Sequence, residues 1–309
     1  MKKLIAPMVL VAAAVGAAPA HAYSDYAKTK YPIVFAHGLF GFSNIGPIEY
    51  WYGIPNELRE NGATVFVTAQ APAQSNDSRG EQLLAQVKEI RAITGSDKVN
   101  LIGHSQGGMT IRYVAGVAPE LVASVTSVST PHKGTPVADV VQGIASVVGP
   151  FGADVIAGAV NAITWMIDAL GDGSGSAQNS LGAMRDLTSG GALAFNQRFP
   201  GGIPATACGA GPAEANGVRY YFWGGAKHLT SVLDPSDWWM KSASLLILGQ
   251  PNDGVVPKCS NHLGMVIRDD YMMNHFDSVN HLLGIVSPIE TNPKTVYLQQ
   301  ANRLKLAGF

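Results

Sequence analysis

The chain has 309 residues, 47% of them hydrophobic and 14% charged, a balance that suits one large α/β domain or two small ones with a well-buried core and excludes a disordered chain. The formal net charge is -1, and no run of lysine or arginine occurs beyond Lys2-Lys3, so the electrostatic footprint of a nucleic-acid binder is missing.

Taken in chain order, Lys2-Lys3 precede an apolar stretch, Leu4 to Ala18, and a small-residue site at Ala20-His21-Ala22. Residues 1–22 read as a cleaved secretory signal peptide, too short in its apolar core to span a bilayer comfortably. The mature chain is then expected to begin near Tyr23, to pass through the periplasm and to be secreted in soluble form. Export places Cys208 and Cys259 in an oxidising compartment with no other cysteine to pair with, which predicts a disulfide; two unlinked thiols are the alternative.

Tyr31 to Ala36 is a short apolar run suited to a central strand, ending at the loop His37-Gly38-Leu39-Phe40-Gly41-Phe42. Ile54 to Leu58 predicts a helix that stops at Asn61-Gly62, and Ala63 to Val67 the next strand. Leu83, Leu84, Val87 and Ile90 recur at helical spacing within Ser78–Ile93, and Gly95 ends that helix. The apolar run Val99-Asn100-Leu101-Ile102 is a strand, Gly108 to Ala115 a helix, and Val122 to Val128 a further strand closed by Pro131-His132-Lys133-Gly134. Such alternation predicts a mostly parallel central sheet with helices on both faces.

The pattern changes between about Thr135 and Leu170, where acids are sparse, basic residues absent, and Val155, Ala159, Ile163, Met166 and Leu170 lie near one helical face; Gly171 to Ser176 follows. These helices either pack as core or form a mobile lid over an apolar pocket, a cap within about 135–175. Further on, Ser244 to Leu248 reads as a late strand ending at Gln250-Pro251-Asn252-Asp253-Gly254, Val279 to Val286 as helical, and the tail to Phe309 as a surface helix. No repeat or second-domain linker stands out.

The chemistry centres on Gly103-His104-Ser105-Gln106-Gly107, which lies between a strand and a helix. A serine in a G-x-S-x-G turn is held in a strained conformation above the sheet, and the glycines let strand and helix approach without side-chain clash. Ser105 is therefore the candidate nucleophile. A serine hydroxyl needs a base within hydrogen-bond reach and an acid to orient that base, in the chain order Ser, Asp or Glu, His. Asp253 suits the acid. Three histidines follow it, His262, His275 and His281; chain order does not choose among them, although the position of His275 before a helix-like segment favours it. The N–H groups of Leu39 and Gln106 are the candidate oxyanion donors, with His37 serving the loop rather than the chemistry.

Several blocks carry a resemblance. Tyr31-Pro32-Ile33-Val34 through His37-Gly38, Asn100 to Ser105, Pro131 to Gly134, Asp234-Pro235-Ser236-Asp237, Asn252-Asp253-Gly254, His262-Leu263-Gly264 and Asn274-His275 resemble the secreted triacylglycerol lipases of the Pseudomonas/Burkholderia type. The likeness runs from about Lys30 to Leu304. It implies an α/β-hydrolase fold with a helical lid insertion, residues 23–309 forming one catalytic domain, and hydrolysis of long-chain acylglycerols at a lipid–water interface. It further implies a triad of Ser105, Asp253 and His275 with Leu39 and Gln106 forming the oxyanion hole. Many relatives carry methionine and histidine at those last two positions, but backbone donors tolerate the change. One structural calcium ion (Ca2+) is also implied, held by Asp234, Asp277 and the main-chain oxygens of His281 and Ile285, where relatives have glutamine in place of His281. Oxygen donors and two carboxylates suit that ion. A dedicated membrane-anchored foldase, encoded elsewhere, completes the implied partners. The competing readings are a carboxylesterase or acyltransferase acting on short or soluble esters, and a catalytically silent scaffold of the same fold.

Overall fold

The computed structural model describes residues 24–39, 41, 44–45, 48–143 and 177–309. The expected signal peptide, 1–22, lies outside these residues, as does most of the expected cap. Among the described residues, seven strands form one sheet. Its elements are β1 (Ile33–Ala36), β4 (Val65–Thr68), β5 (Val99–His104), β6 (Val122–Val128), β7 (Glu214–Ala215), β8 (Val218–Gly225) and β9 (Met265–Tyr271), while β2 (Asn44–Ile45) and β3 (Ile48–Glu49) form a separate hairpin. The order is β4-β1-β5-β6-β8-β7, with β9 also paired to β8. All the sheet pairings are parallel except β7 with β8.

Parallel strands need crossover helices, and these cover both faces. Along β1 the pleat sends Ile33 and Phe35 to one side and Val34 and Ala36 to the other. The first pair packs with Ile54 and Leu58 of α1 (Ile54–Glu60) and with Tyr297 and Ala301 of α8 (Pro293–Leu306). Val34 and Ala36 pack with Leu83 and Val87 of α2 (Asn76–Thr94) and with Ile111 and Val114 of α3 (Gln106–Val117). Every residue of β1, β5 and β6 is buried. That burial explains why β1 reads as a continuous apolar run, whereas β6 also buries Ser124, Thr126 and Ser127.

Local chemistry sets the helix ends. Ser75 caps α2, its hydroxyl accepting the N–H of Ser78 at 3.2 Å, and Gly95 ends that helix at φ 66°. Thr135 opens α4 (Pro136–Val141), the only part of the expected cap among the described residues before α5 (Ala177–Asp186) and α6 (Ser189–Arg198).

Two expectations are corrected. Ser244 to Leu248 is not a strand: α7 (Ser236–Ser244) runs into it, and Ala243, Leu246 and Ile247 pack against Val137 at helical spacing. A short apolar run does not distinguish the two states by periodicity. Nor is Val279 to Val286 helical beyond a single 3₁₀ turn at Asp277–Val279, because Asn280, Leu283 and Gly284 all take positive φ. The strand β8, absent from the sequence reading, pairs with β6 in the sheet. Cys208 and Cys259 form the expected disulfide, 51 residues apart in sequence. Among the described residues, no helix is long and apolar enough to cross a membrane.

Candidate active site

Ser105 sits between the end of β5 and the start of α3 at φ 54°, ψ -128°, a conformation that side chains other than glycine rarely adopt. The turn persists because its surroundings leave no alternative. Its N–H bonds the carbonyl of Val128 on β6 at 3.0 Å. A Cβ on Gly103 would stand 2.3 Å from the carbonyl oxygen of Gly107, and one on Gly107 would stand 2.1 Å from that of Ala36. Glycine is thus required where the helix crosses back over the sheet, and the crossing lifts Ser105 above the carboxyl ends of the strands.

Of the three histidines that follow Asp253, one meets it. His275 Nδ1 lies 2.8 Å from Asp253 Oδ2, with Asp253 1% and His275 8% exposed at the side chain. A buried carboxylate needs its lone pairs satisfied, and Asp253 Oδ1 accepts the N–H groups of Val255 and Val256 at 3.1 and 2.7 Å. The main chain of His275 is tied as well, its N–H bonding the carbonyl of Asp253 at 2.8 Å. The acid therefore holds the Nδ1 edge of the imidazole and leaves Nε2 for the pocket that His275 and Ser105 both line. No hydrogen bond joins the Ser105 and His275 side chains among the described residues; such contacts commonly tighten only with substrate. His262 lies elsewhere, 3.1 Å from Asp269 and beside the disulfide. His281 lines the pocket with its ring against Tyr50 and Phe276, and burial lowers it to about 4.

The loop after β1 passes directly against Ser105. A Cβ on Gly38 would approach Ser105 Cβ to 2.9 Å, which brings the following residue, Leu39, to the same pocket. Gln106 is wholly buried, its amide donating to Gln74 O at 2.9 Å and to Asn76 Oδ1 at 3.2 Å, so its side chain anchors the start of α3. His37 is structural, as expected. Its Nε2 accepts the Gln70 N–H at 3.2 Å and its Nδ1–H donates to Gly38 O at 2.9 Å, an arrangement possible only for the neutral ring. Burial first, and then the charge of Arg79, lowers it to about 3. The Arg79 guanidinium closes the loop by donating to the carbonyls of His37 and Gly38 at 2.5 and 3.2 Å.

Around Ser105 and His275 the pocket is apolar. Val137 and Ala138 come from α4, Met184 and Leu187 from α5 and the turn after it, Met240 from α7 and Val255 from the Asp253 loop. This composition suits an acyl chain.

Beside the His275 loop lies a buried acidic cluster. Asp234, Asp237 and Asp277 are 1%, 3% and 1% exposed, and the Asn274 amide donates to Asp234 at 3.2 Å and to Asp237 at 2.9 Å. Asp277 Oδ2 accepts from Thr230 and from Asn274 N–H at 2.7 and 3.0 Å, whereas Oδ1 is buried without a partner. Burial, reinforced by the charges of Asp234 and Asp237, pushes the Asp277 carboxyl well above the usual range. Among the described residues no Lys or Arg forms an ion pair with these three carboxylates, and a hard divalent ion held by oxygens fits that donor set. The main-chain oxygen of His281 lies in the same segment and already accepts Leu283 N–H at 3.0 Å. Ile285 follows at the surface. Among the described residues no group of three or more His, Cys, Asp or Glu side chains is arranged to hold a metal, so an ion there would depend on main-chain oxygens as well.

Three participants escaped the sequence reading. Tyr50 and His104 line the pocket, and Asp237 completes the acidic cluster. Neither His104, inside the G-x-S-x-G turn, nor Tyr50, in an aromatic stretch, carries a periodic or spacing signal.

Comparison with known proteins identifies the family and the fold. The family model described as alpha/beta hydrolase fold matches residues 31–262. A triacylglycerol lipase of Vibrio cholerae is 52% identical over 291 residues, covering 94% of this chain and 93% of that protein. One from Pseudomonas fragi is 43% identical, covering 92% and 99%. The mature form of a Bacillus licheniformis lipase superposes with a TM-score of 0.62 at 21% identity over 92% of this chain and 95% of that one, a likeness of fold.

Proposed function

Because the chain belongs to the alpha/beta hydrolase fold family and, within it, to the triacylglycerol lipases, serine ester hydrolases, we propose that it is a secreted lipase that cleaves long-chain acylglycerols through an acyl-enzyme on Ser105. In the first half-reaction His275 Nε2 takes the Ser105 proton as Oγ adds to the ester carbonyl, Asp253 keeps the Nδ1–H edge fixed, and the imidazolium returns its proton to the departing alcohol. Water then enters by the same route and frees the fatty acid. The developing oxyanion is met by the N–H groups of Leu39 and Gln106, each worth roughly 3 to 4 kcal/mol of barrier.

The observation that carries this reading is one pocket shared by the strained Ser105 and by an imidazole bonded at 2.8 Å to a buried carboxylate. Its apolar walls favour acyl chains over small polar esters. The basic–apolar–small pattern of residues 1–22 supports export, and the family resemblance supports a foldase partner and a cap within 135–175. Calcium would be held by Asp234, Asp277 and the main-chain oxygens of His281 and Ile285. When bound it would neutralise the buried carboxylates beside the His275 loop.

The test is S105A assayed on emulsified triolein and treated with an organophosphate ester. Loss of nearly all turnover and of the covalent adduct is the expected outcome. A folded variant that keeps either would refute the nucleophile. Comparison of emulsified triolein with dissolved p-nitrophenyl butyrate separates a lipase from an esterase for soluble substrates.

A further inference from the structure

Beneath the pocket runs a buried hydrogen-bond chain that the acyl-transfer steps do not use. The Tyr50 hydroxyl lies 2.5 Å from His104 Nδ1 and accepts the Gly38 N–H at 3.1 Å. His104 Nε2 lies 3.1 Å from the main-chain oxygen of His275. A carbonyl only accepts, so His104 Nε2 carries the proton, Nδ1 is bare, and the Tyr50 O–H donates to it. One arrangement of protons satisfies all three bonds.

Each end of this chain adjoins a candidate catalytic group. Gly38 directly precedes Leu39, His104 directly precedes Ser105, and the accepted oxygen belongs to His275 itself. We propose that Tyr50, acting through His104, is a positioning residue that ties the oxyanion loop, the nucleophile turn and the base into one rigid unit. The proposal rests on the assignment of Ser105, Asp253 and His275 above. The bonds span 12, 54 and 171 residues of sequence, so no local turn could impose the same registry. The His104 ring also lies against the His275 ring, centroids 4.5 Å apart. A charged His104 would oppose the imidazolium that forms on His275. Burial, with His275 acting in the same sense, holds His104 well below its ordinary value and keeps it neutral. Tyr50 reinforces this by donating to Nδ1.

Tyr50→Phe removes the hydroxyl and keeps the ring. It leaves Gly38 N–H without that acceptor and frees the His104 tautomer. Displacement of catalytic groups by about an ångström is enough to cost up to about 100-fold in rate. Expected for Y50F on dissolved p-nitrophenyl butyrate is a fall in kcat of about tenfold with KM changed less than about twofold. The Y50F/H104Q double variant should lose no more than H104Q alone, because both substitutions cut one chain. In the wild-type protein, ¹⁵N NMR near neutral pH should find His104 purely as the Nε2–H tautomer, and in Y50F as a mixture.

Wild-type kcat in Y50F, additive losses in the double variant, or an Nδ1–H or doubly protonated His104 in the wild type would each overturn the proposal. The wild-type spectrum needs no variant, so a Y50F chain that fails to fold leaves the test standing. An active S105A would instead remove the triad assignment, a result that Y50F by itself cannot produce.

Discussion

Acid should unfold this protein earlier than its carboxylates alone would require, because three wholly buried histidines are bonded in ways that demand neutrality. His37 accepts from Gln70 N–H and His104 from Tyr50, while His132 accepts the Arg112 guanidinium at Nδ1, 3.2 Å away, and donates from Nε2 to Ser127 Oγ at 2.7 Å. A proton on any of them breaks an existing hydrogen bond inside a dry core. Burial accordingly lowers His37 to about 3 and holds His104 and His132 well below 6.5. In the unfolded chain each titrates near 6.5. Between those values the unfolded state binds more protons, so stability is fully present above about pH 7 and is lost as pH falls through 6.5. At about pH 5 His37 by itself costs RT ln(1 + 10^1.5), about 2 kcal/mol, and His104 and His132 add to that loss in the same sense. A typical domain has about 5 to 15 kcal/mol in all. Urea unfolding followed by fluorescence from about pH 7.5 to about pH 5 should give a slope that exceeds one proton's worth, about 1.4 kcal/mol per pH unit. His132→Asn should lower that slope. A stability curve flat across this range, or a slope of one proton or less, would show that the rings accept protons in place and would refute the reasoning.

Reducing the Cys208–Cys259 disulfide, or replacing both cysteines by alanine, reopens a 51-residue loop and should lower stability by about 4 kcal/mol, read by the urea midpoint. Gly107→Ala drives a methyl to 2.1 Å from the Ala36 carbonyl, a backbone clash with no side chain to yield; circular dichroism should show a lowered Tm and triolein assays a loss of at least about 100-fold, whereas wild-type turnover would mean the turn is not needed. Chelation by EDTA should lower Tm, since an ion at 100 times its Kd contributes about 2.7 kcal/mol, and Asp277→Asn should abolish the difference between chelated and calcium-loaded protein; equal Tm with and without chelator in the parent would remove the calcium site.

Much of this molecule follows from local chemistry. The buried strand β1 declares itself as an apolar run because both faces of a parallel sheet are covered, and the Ser105 turn is legible because only glycine allows the close approach at Gly103 and Gly107. Ser244–Leu248 misled for the same reason in reverse: an apolar run too short to show its period packs as readily from a helix end as from a strand. Which histidine serves Asp253 could not be read from chain order, since His262, His275 and His281 differ only in where β9 and the positive-φ turns at Asn280 and Leu283 deliver them. The Tyr50–His104–His275 chain was equally invisible, because its partners lie far apart in sequence and each is an ordinary aromatic residue until the sheet brings them together. Sequence alone thus determines elements whose cause lies within a few residues: periodicity, caps and the glycines of a tight turn. Tertiary structure decides the pairings, because a hydrogen bond between distant residues depends on where the whole sheet sets them down.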